Sequence, residues 1–359
     1  MPRRARELGL PLSGTCGAWN AITDVPGVEV GYRTIRREAE KPYVRSGVTA
    51  ILPFGKAGPL RPTWAGSFRL NGNGEMTGLQ WVQDGGYFTG PICITNTHSL
   101  GIVHHAAVRS MIAAHPDAFR EQHLWALPVV AETYDGVLSD ILGQRVTEAD
   151  ALAAIAAASA GPVAEGSVGG GTGMICYGYK AGSGTASRRV RAGSLEGTVG
   201  AFVQANFGRP DLLTVLGVPV GRLLPLGGEE PEMGSVIGIV ATDLPMLPHQ
   251  LARVARRAAL GIARTGSSSG NSSGDLFLAF STANPMPMPQ AAGDLLTVTA
   301  LNDELFDPVY EASCQAVEEA VLNALLAGEP MVAVRPEGRR IPALDGERLL
   351  EVMRSYRAL

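Results

Sequence analysis

The stretch Glu229-Glu-Pro-Glu-Met-Gly234-Ser235-Val-Ile-Gly-Ile-Val-Ala241-Thr242-Asp243 joins a polar Gly/Pro/Glu segment directly to an apolar run whose first residue is Ser235. The apolar run predicts a buried strand. Gly-Ser before a strand is ordinarily a turn and nothing more. A glycine in an accessible turn also lets a following hydroxyl approach the preceding carbonyl, so Gly234–Ser235 reads as a candidate self-cleavage bond. Cleavage would leave Ser235 with a hydroxyl and a free α-amine, and such an amine titrates near pH ~8, close enough to neutrality to act as a base. One residue would then supply nucleophile and base. The processing site falls inside a domain, with residues 1–234 as the N-terminal (α) fragment and 235–359 as the C-terminal (β) fragment.

Outward from this point the chain alternates strands and helices. Asn20 to Tyr32, Gly47 to Pro53, Pro91 to Asn96 and Leu127 to Gly136 read as strands bounded by turn residues. Met174 to Tyr179, Leu195 to Ala205 and Asp275 to Thr282 follow the same pattern, and Leu295 to Thr299 is a last short element. Apolar residues at helical spacing predict helices over His104 to His115, from the capping signal at Thr147, from Pro248, across Asp307 to Leu326, and near Asp345 to Tyr356. No repeat and no linker divides the chain, so one mixed α/β domain with helices covering sheets is expected.

The 359 residues are 45% hydrophobic and carry a net charge of −4, which supplies a packed core and gives no electrostatic reason to expect nucleic acid or an anionic membrane as partner. The basic start, Met1-Pro-Arg-Arg, is followed by no apolar h-region, and no run reaches the ~18 apolar residues of a membrane span. A soluble, cytoplasmic protein is expected. Cys16, Cys93, Cys176 and Cys314 lie far apart without a CxxC or Cys/His cluster, so neither zinc nor a disulfide framework is expected.

Six motifs in order resemble one family. They are Asn20-Ala-Ile-Thr-Asp-Val-Pro-Gly-Val-Glu-Val-Gly31, Glu132-Thr-Tyr-Asp-Gly136, Gly166-Ser-Val-Gly-Gly-Gly-Thr-Gly173, Val203-Gln-Ala-Asn-Phe-Gly208, Gly234 to Leu251, and Ser273-Gly-Asp-Leu-Phe-Leu-Ala-Phe-Ser-Thr-Ala-Asn284. Together they are similar to the self-processing L-aminopeptidase/D-amidase-esterase (DmpA-like) peptidases, which include the β-peptidyl aminopeptidases. The resemblance implies a four-layer αββα sandwich, α and β fragments that stay associated, and a homo-oligomer, commonly a tetramer of such heterodimers. It implies no metal and no cofactor, and short peptides or amino-acid amides and esters as substrates. Matched position by position, Ser235 is the nucleophile, Tyr134 and Asn206 stabilise the oxyanion, and Ser273 and Asp275 assist the new terminus. Glu132 meets the substrate's amino group. Phenol and carboxamide are apt for the first role as neutral donors, and an ammonium needs an anion such as Glu132.

Other signals fit less well. Gly266-Ser-Ser-Ser-Gly270 satisfies G-x-S-x-G but lies between a helix and a strand, whereas a nucleophile elbow needs strand, turn, helix. Gly166 to Gly173 lacks the Lys-Ser/Thr of a phosphate loop, and a role lining the active-site cleft is expected of it instead. His98, His104 and His105 fit no metal pattern. The rival readings are an acyltransferase of similar N-terminal-nucleophile architecture and a binding protein that is never processed.

Overall fold

The computed structural model describes residues 3–39, 41–122, 124–226 and 234–357. The polar lead Glu229–Met233 lies outside them. Ten strands build the two main sheets: β1 Glu29–Arg37, β2 Val44–Leu52, β3 Thr63–Gly72, β4 Tyr87–Phe88, β5 Ile92–Asn96, β6 Val129–Thr133, β7 Ser183–Ala192, β8 Leu195–Asn206, β9 Ser235–Thr242 and β10 Gly274–Ser281. The helices that cover them are α1 Leu100–Ala114, α2 Glu148–Ala156, α3 Pro248–Arg264 and α4 Asp307–Leu326, with α5 Gly346–Arg357 near the C-terminus.

One sheet runs β1-β2-β5-β6 and the other β4-β3-β10-β9-β8-β7. Side chains alternate across each strand, so the central strands feed two cores. Ile51, Ile92, Ile94 and Val129 of the first sheet meet Phe202, Ile237, Ile239, Leu278 and Phe280 of the second in the layer between sheets. On the outer face of the second sheet, Val236, Val240 and Phe277 join Leu251, Val254 and Ala258 of α3 and Val317, Val321 and Leu325 of α4. On the outer face of the first, Val48, Cys93 and Val130 meet Val103 and Ala107 of α1 and Ala151 and Ala154 of α2. The result is the four-layer αββα sandwich expected. It also explains why β9 is buried at all eight positions and shows no polar alternation.

Three strands escaped the sequence reading: the two-residue β4, and β3 and β7. Thr63–Gly72 carries Gly66, Ser67 and Arg69, and Ser183–Ala192 carries Gly184 and three arginines, so neither has an apolar rhythm. The glycines mark where helices rest on the sheet: a β-carbon at Gly66 would lie 2.1 Å from the Ala252 nitrogen, and one at Gly184 would lie 2.0 Å from the Ala320 carbonyl oxygen. Leu295 to Thr299 is irregular and exposed rather than a sheet strand, because only Thr299 is pinned, by paired hydrogen bonds to Asn284.

The Asn20 motif is a latch of the fold. Asn20 Nδ2 donates to Glu319 Oε1 at 2.6 Å, while its Oδ1 accepts from Ser187 N at 2.9 Å. Glu319, fully buried on α4, also pairs with Arg188 at 2.7 Å and Arg6 at 2.9 Å. Removing the carboxylate would leave the buried Arg188 guanidinium without its counter-charge. Glu319→Ala should therefore cost about 3–5 kcal/mol, read as a lower urea-unfolding midpoint.

Candidate active site

Ser235 is the first residue of β9, held in ladder register opposite Asn206 of β8 on one side and Gly274 of β10 on the other. Its hydroxyl is buried and accepts a hydrogen bond from Gly274 N at 3.1 Å. Gly234 is tight: a β-carbon there would lie 1.8 Å from the Asn206 carbonyl oxygen. Only glycine can bring the chain to Ser235 along this path. The described chain runs unbroken through the Gly234–Ser235 peptide.

Asn206 ends β8 with its carboxamide engaged by backbone on both sides. Oδ1 accepts from Ile175 N at 2.9 Å, and Nδ2 donates to the Tyr134 carbonyl at 3.0 Å. The amide carries two N–H bonds, so one donor remains. The same contact fixes Tyr134, which follows β6. Its ring lies across Gly136, where a β-carbon would come within 2.3 Å of the phenol oxygen. Tyr134 as a whole is 39% exposed. Below it, Gln204 of β8 ties the two sheets together, donating to Thr133 Oγ1 at 2.8 Å and to the Thr95 carbonyl at 3.1 Å.

Glu132, on β6, is almost fully buried. It accepts from Glu75 N at 2.9 Å and from the Thr97 hydroxyl. A β-carbon on Gly74 would be 3.2 Å from Glu132 Oε1 and 3.3 Å from Gly274 Cα, so the carboxylate stands on the Ser235 side of the cleft. Burial raises its pKa, with the Thr97 and Glu75 hydrogen bonds opposing.

Asp275 of β10 is buried, accepting from Ser273 Oγ at 2.6 Å and from the Ser269 hydroxyl. Burial raises its pKa, and the two serines and Val236 N lower it in part. Ser273 and Asp275 therefore stand at the start of β10, beside the start of β9, and their side chains bond each other. Ser269 is the residue the sequence did not single out. It sits among near-identical serines, and only its φ of +60°, unusual for a non-glycine, distinguishes it in the structure. Thr97 and Glu75, which hold Glu132, were likewise missed, since Thr97 opens a short 3-10 turn and Glu75 lies in a loop, neither within a motif.

The Gly-rich stretch departs from expectation. Gly169–Gly173 is a buried 3-10 turn rather than a cleft wall, with Gly170 N donating to Thr49 Oγ1 at 3.1 Å. Its bare backbone fits against neighbouring carbonyls, and at Gly173 a β-carbon would lie 2.9 Å from Asp135 Cβ. No group of three or more His, Cys, Asp or Glu poised for a metal occurs among the described residues.

This arrangement is shared with known proteins. The model of peptidase family S58 matches residues 20–338. The chain belongs to peptidase family S58. Two relatives are named β-peptidyl aminopeptidase BapA. That of Sphingosinicella microcystinivorans is 46% identical, covering 99% of this chain and 93% of the relative, and that of Sphingosinicella xenopeptidilytica is 40% identical, covering 98% and 91%. Among solved structures, the L-aminopeptidase D-Ala-esterase/amidase of Ochrobactrum anthropi superposes with a TM-score of 0.94 at 51% identity over 98% of both chains. It is described as a prototype serine aminopeptidase and a variant of the Ntn hydrolase fold. A Burkholderia β-aminopeptidase gives 0.91 at 45% identity, covering 98% of this chain and 99% of that one. This S58 chain is thus an aminopeptidase, a hydrolase with the N-terminal-nucleophile fold.

Directly after Tyr134, Asp135 is fully buried, and the polar side chains nearest its carboxyl, Ser46 and Asn96, bond each other at 2.8 Å and give it no close hydrogen bond; Asn96 Oδ1 is unpartnered. Burial pushes the Asp135 pKa up to about 7 from 3.8, partly offset by Ser46 and Asn96. The folded state therefore holds a proton that the unfolded state releases, so this group's contribution to stability is full below the unfolded pKa and declines as pH rises through 4 to 7. Asp135→Asn, which mimics the neutral acid, should flatten that decline. At pH 8 it should unfold later than the parent by up to ~4 kcal/mol, with little difference at pH 4, read from urea midpoints at the two pH values.

Proposed function

We propose that this chain cuts itself at Gly234–Ser235 and then hydrolyses the amide or ester bond that follows an N-terminal amino acid. The observation that carries the reading is the placement of Ser235 at the first position of a fully buried strand, clamped between Asn206 and Gly274. A new terminus created there would stay fixed in the sheet. Ser235 Oγ attacks the substrate carbonyl while the Ser235 α-amine takes its proton and returns it to the leaving group. The Tyr134 phenol and the remaining Asn206 N–H stabilise the oxyanion, and water hydrolyses the acyl-enzyme. Ser273 and Asp275 orient the amine, with Ser269 as a third member of that cluster.

Glu132 pairs with the substrate ammonium. Its place beside Gly274 supports this, and an ionised Glu132 is required, so substrate affinity should fall as pH drops through its raised pKa. Short peptides and amino-acid amides or esters are the substrates, with L-, D- and β-aminoacyl compounds as the classes to compare. The names of the relatives support that range. The reading uses no metal or cofactor. Residues 1–234 and 235–359 remain together as α and β fragments, since β8 hydrogen-bonds to β9 and β3 to β10 across the cut. We further propose a homo-oligomer, a tetramer of α/β heterodimers, and a cytoplasmic setting, the latter in keeping with four cysteines that lie far apart in sequence and form no CxxC.

Denaturing electrophoresis with N-terminal sequencing tests the central step. The parent should give two bands, the smaller starting Ser-Val-Ile-Gly, and Ser235→Ala should give one band of 37.5 kDa without aminoacyl-p-nitroanilide turnover. A parent that stays intact, or a turning-over Ser235→Ala, would refute the reading. In processed enzyme, Tyr134→Phe should lower kcat roughly 100-fold with little change in KM. Glu132→Gln should instead raise KM and abolish its acid limb.

A further inference from the structure

At the end of β2 and β5 remote from Asn96, a cavity of about 470 Å³ opens between these strands, the loop after β2, and helices α1 and α2. It is within the range of small-ligand pockets and far from Ser235 along β5. Its walls are apolar, from Leu52, Phe54, Met111, Leu152 and Ile155. Arg61 lines the same cavity with its guanidinium carbon 3.7 Å from the Phe54 ring centroid. Its Nε is buried with no hydrogen-bond partner, and no carboxylate among the described residues pairs with it. Burial lowers its pKa without a counter-charge to offset it. A second cation, Lys56, is tied to the rim by Nζ donation to the Ala156 carbonyl at 3.1 Å. Glu29 is engaged by Lys56 N at 3.0 Å and makes no ion pair with Arg61.

We propose that this cavity binds an amphipathic carboxylate, a single acid group on a compact apolar body, with the acid on Arg61 and the body against Met111, Leu152 and Ile155. A guanidinium without a carboxylate partner, already stacked on an aromatic ring, offers its terminal N–H groups to a planar acid. An uncharged apolar molecule would fill the walls but leave the guanidinium without a counter-charge. A cationic one would meet two like charges. Charge complementarity therefore selects the anion from among molecules of the same shape. The site is independent of the hydrolytic reading and uses none of its residues.

The test is titration calorimetry on the full chain with octanoate, octanamide and octylammonium. Saturable one-to-one binding of octanoate is expected, at least 10-fold tighter than octanamide, with octylammonium undetected. Arg61→Met keeps the aliphatic stem and should weaken octanoate to the level of octanamide. Ala156→Trp, at the rim, should exclude both, and aminoacyl-p-nitroanilide turnover should be unchanged in each variant. If Arg61→Met does not fold, Arg61→Lys, which retains charge without the planar fork, should give an intermediate affinity. Equal binding of acid and amide by the parent would overturn the proposal, as would octanoate affinity indifferent to Arg61. So would size-exclusion behaviour in which Ala156→Trp splits an assembly that octanoate does not perturb, since the cavity would then be a contact between copies.

Discussion

Everything at the site depends on Ser235 occupying the first rung of a central strand. Antiparallel pairing to Asn206 and parallel pairing to Gly274 fix its backbone from both sides, and a hydrogen bond from Gly274 N fixes its hydroxyl. Such a residue has little freedom to lose, so under the proposed mechanism its hydroxyl is in position before a substrate binds. The cost is crowding. Bare backbone at Gly234, close against the Asn206 carbonyl, is what permits it.

Around that rung the sheets deliver the remaining groups by register alone. β6 carries Glu132 and releases Tyr134, β8 ends in Asn206, and β10 starts with Gly274 and Asp275. The first sheet and the second are joined here by polar contacts, Gln204 to Thr133 and Asn206 to Tyr134, where elsewhere they meet through Ile and Phe. The rigidity of the sandwich is thereby passed to the side chains. Buried Asp135 behind Tyr134 belongs to the same layer, a destabilising carboxyl kept where a purely structural core would hold an apolar residue.

Strands with continuous apolar runs, such as β9 and β5, could be read from the sequence because burial on both faces leaves no polar alternation. β3 and β7 could not, since their glycines and arginines serve helix packing and an internal ion network that exist only in three dimensions. The site followed the same division. Ser235 stood out through its place between a polar lead and an apolar run. Tyr134, Asn206, Ser273, Asp275 and Glu132 came from motif resemblance and gather around it. Ser269, Thr97 and Glu75 carry no motif; each acts by touching a carboxylate distant or indistinct in sequence. The Gly166 to Gly173 motif misled about place, because glycines wanted for close packing look like those wanted for a ligand loop.

The serines beside Asp275 give the proposed base its direction. Ser273 and Ser269 both donate to the Asp275 carboxylate, so each hydroxyl hydrogen is committed. What Ser273 has left is acceptor capacity alone. Such an acceptor can take an N–H from a peptide or from an α-amine, and under the proposed cleavage only the amine would keep a lone pair to direct elsewhere. The hydroxyl of Ser235, on the same residue, is the nearest proton for that lone pair to take. Under the proposed cleavage an amine would replace the Ser235 amide and gain that lone pair while every side-chain contact between Ser273, Ser269 and Asp275 stayed as it is, so the cluster would need no rearrangement to serve the cleaved chain.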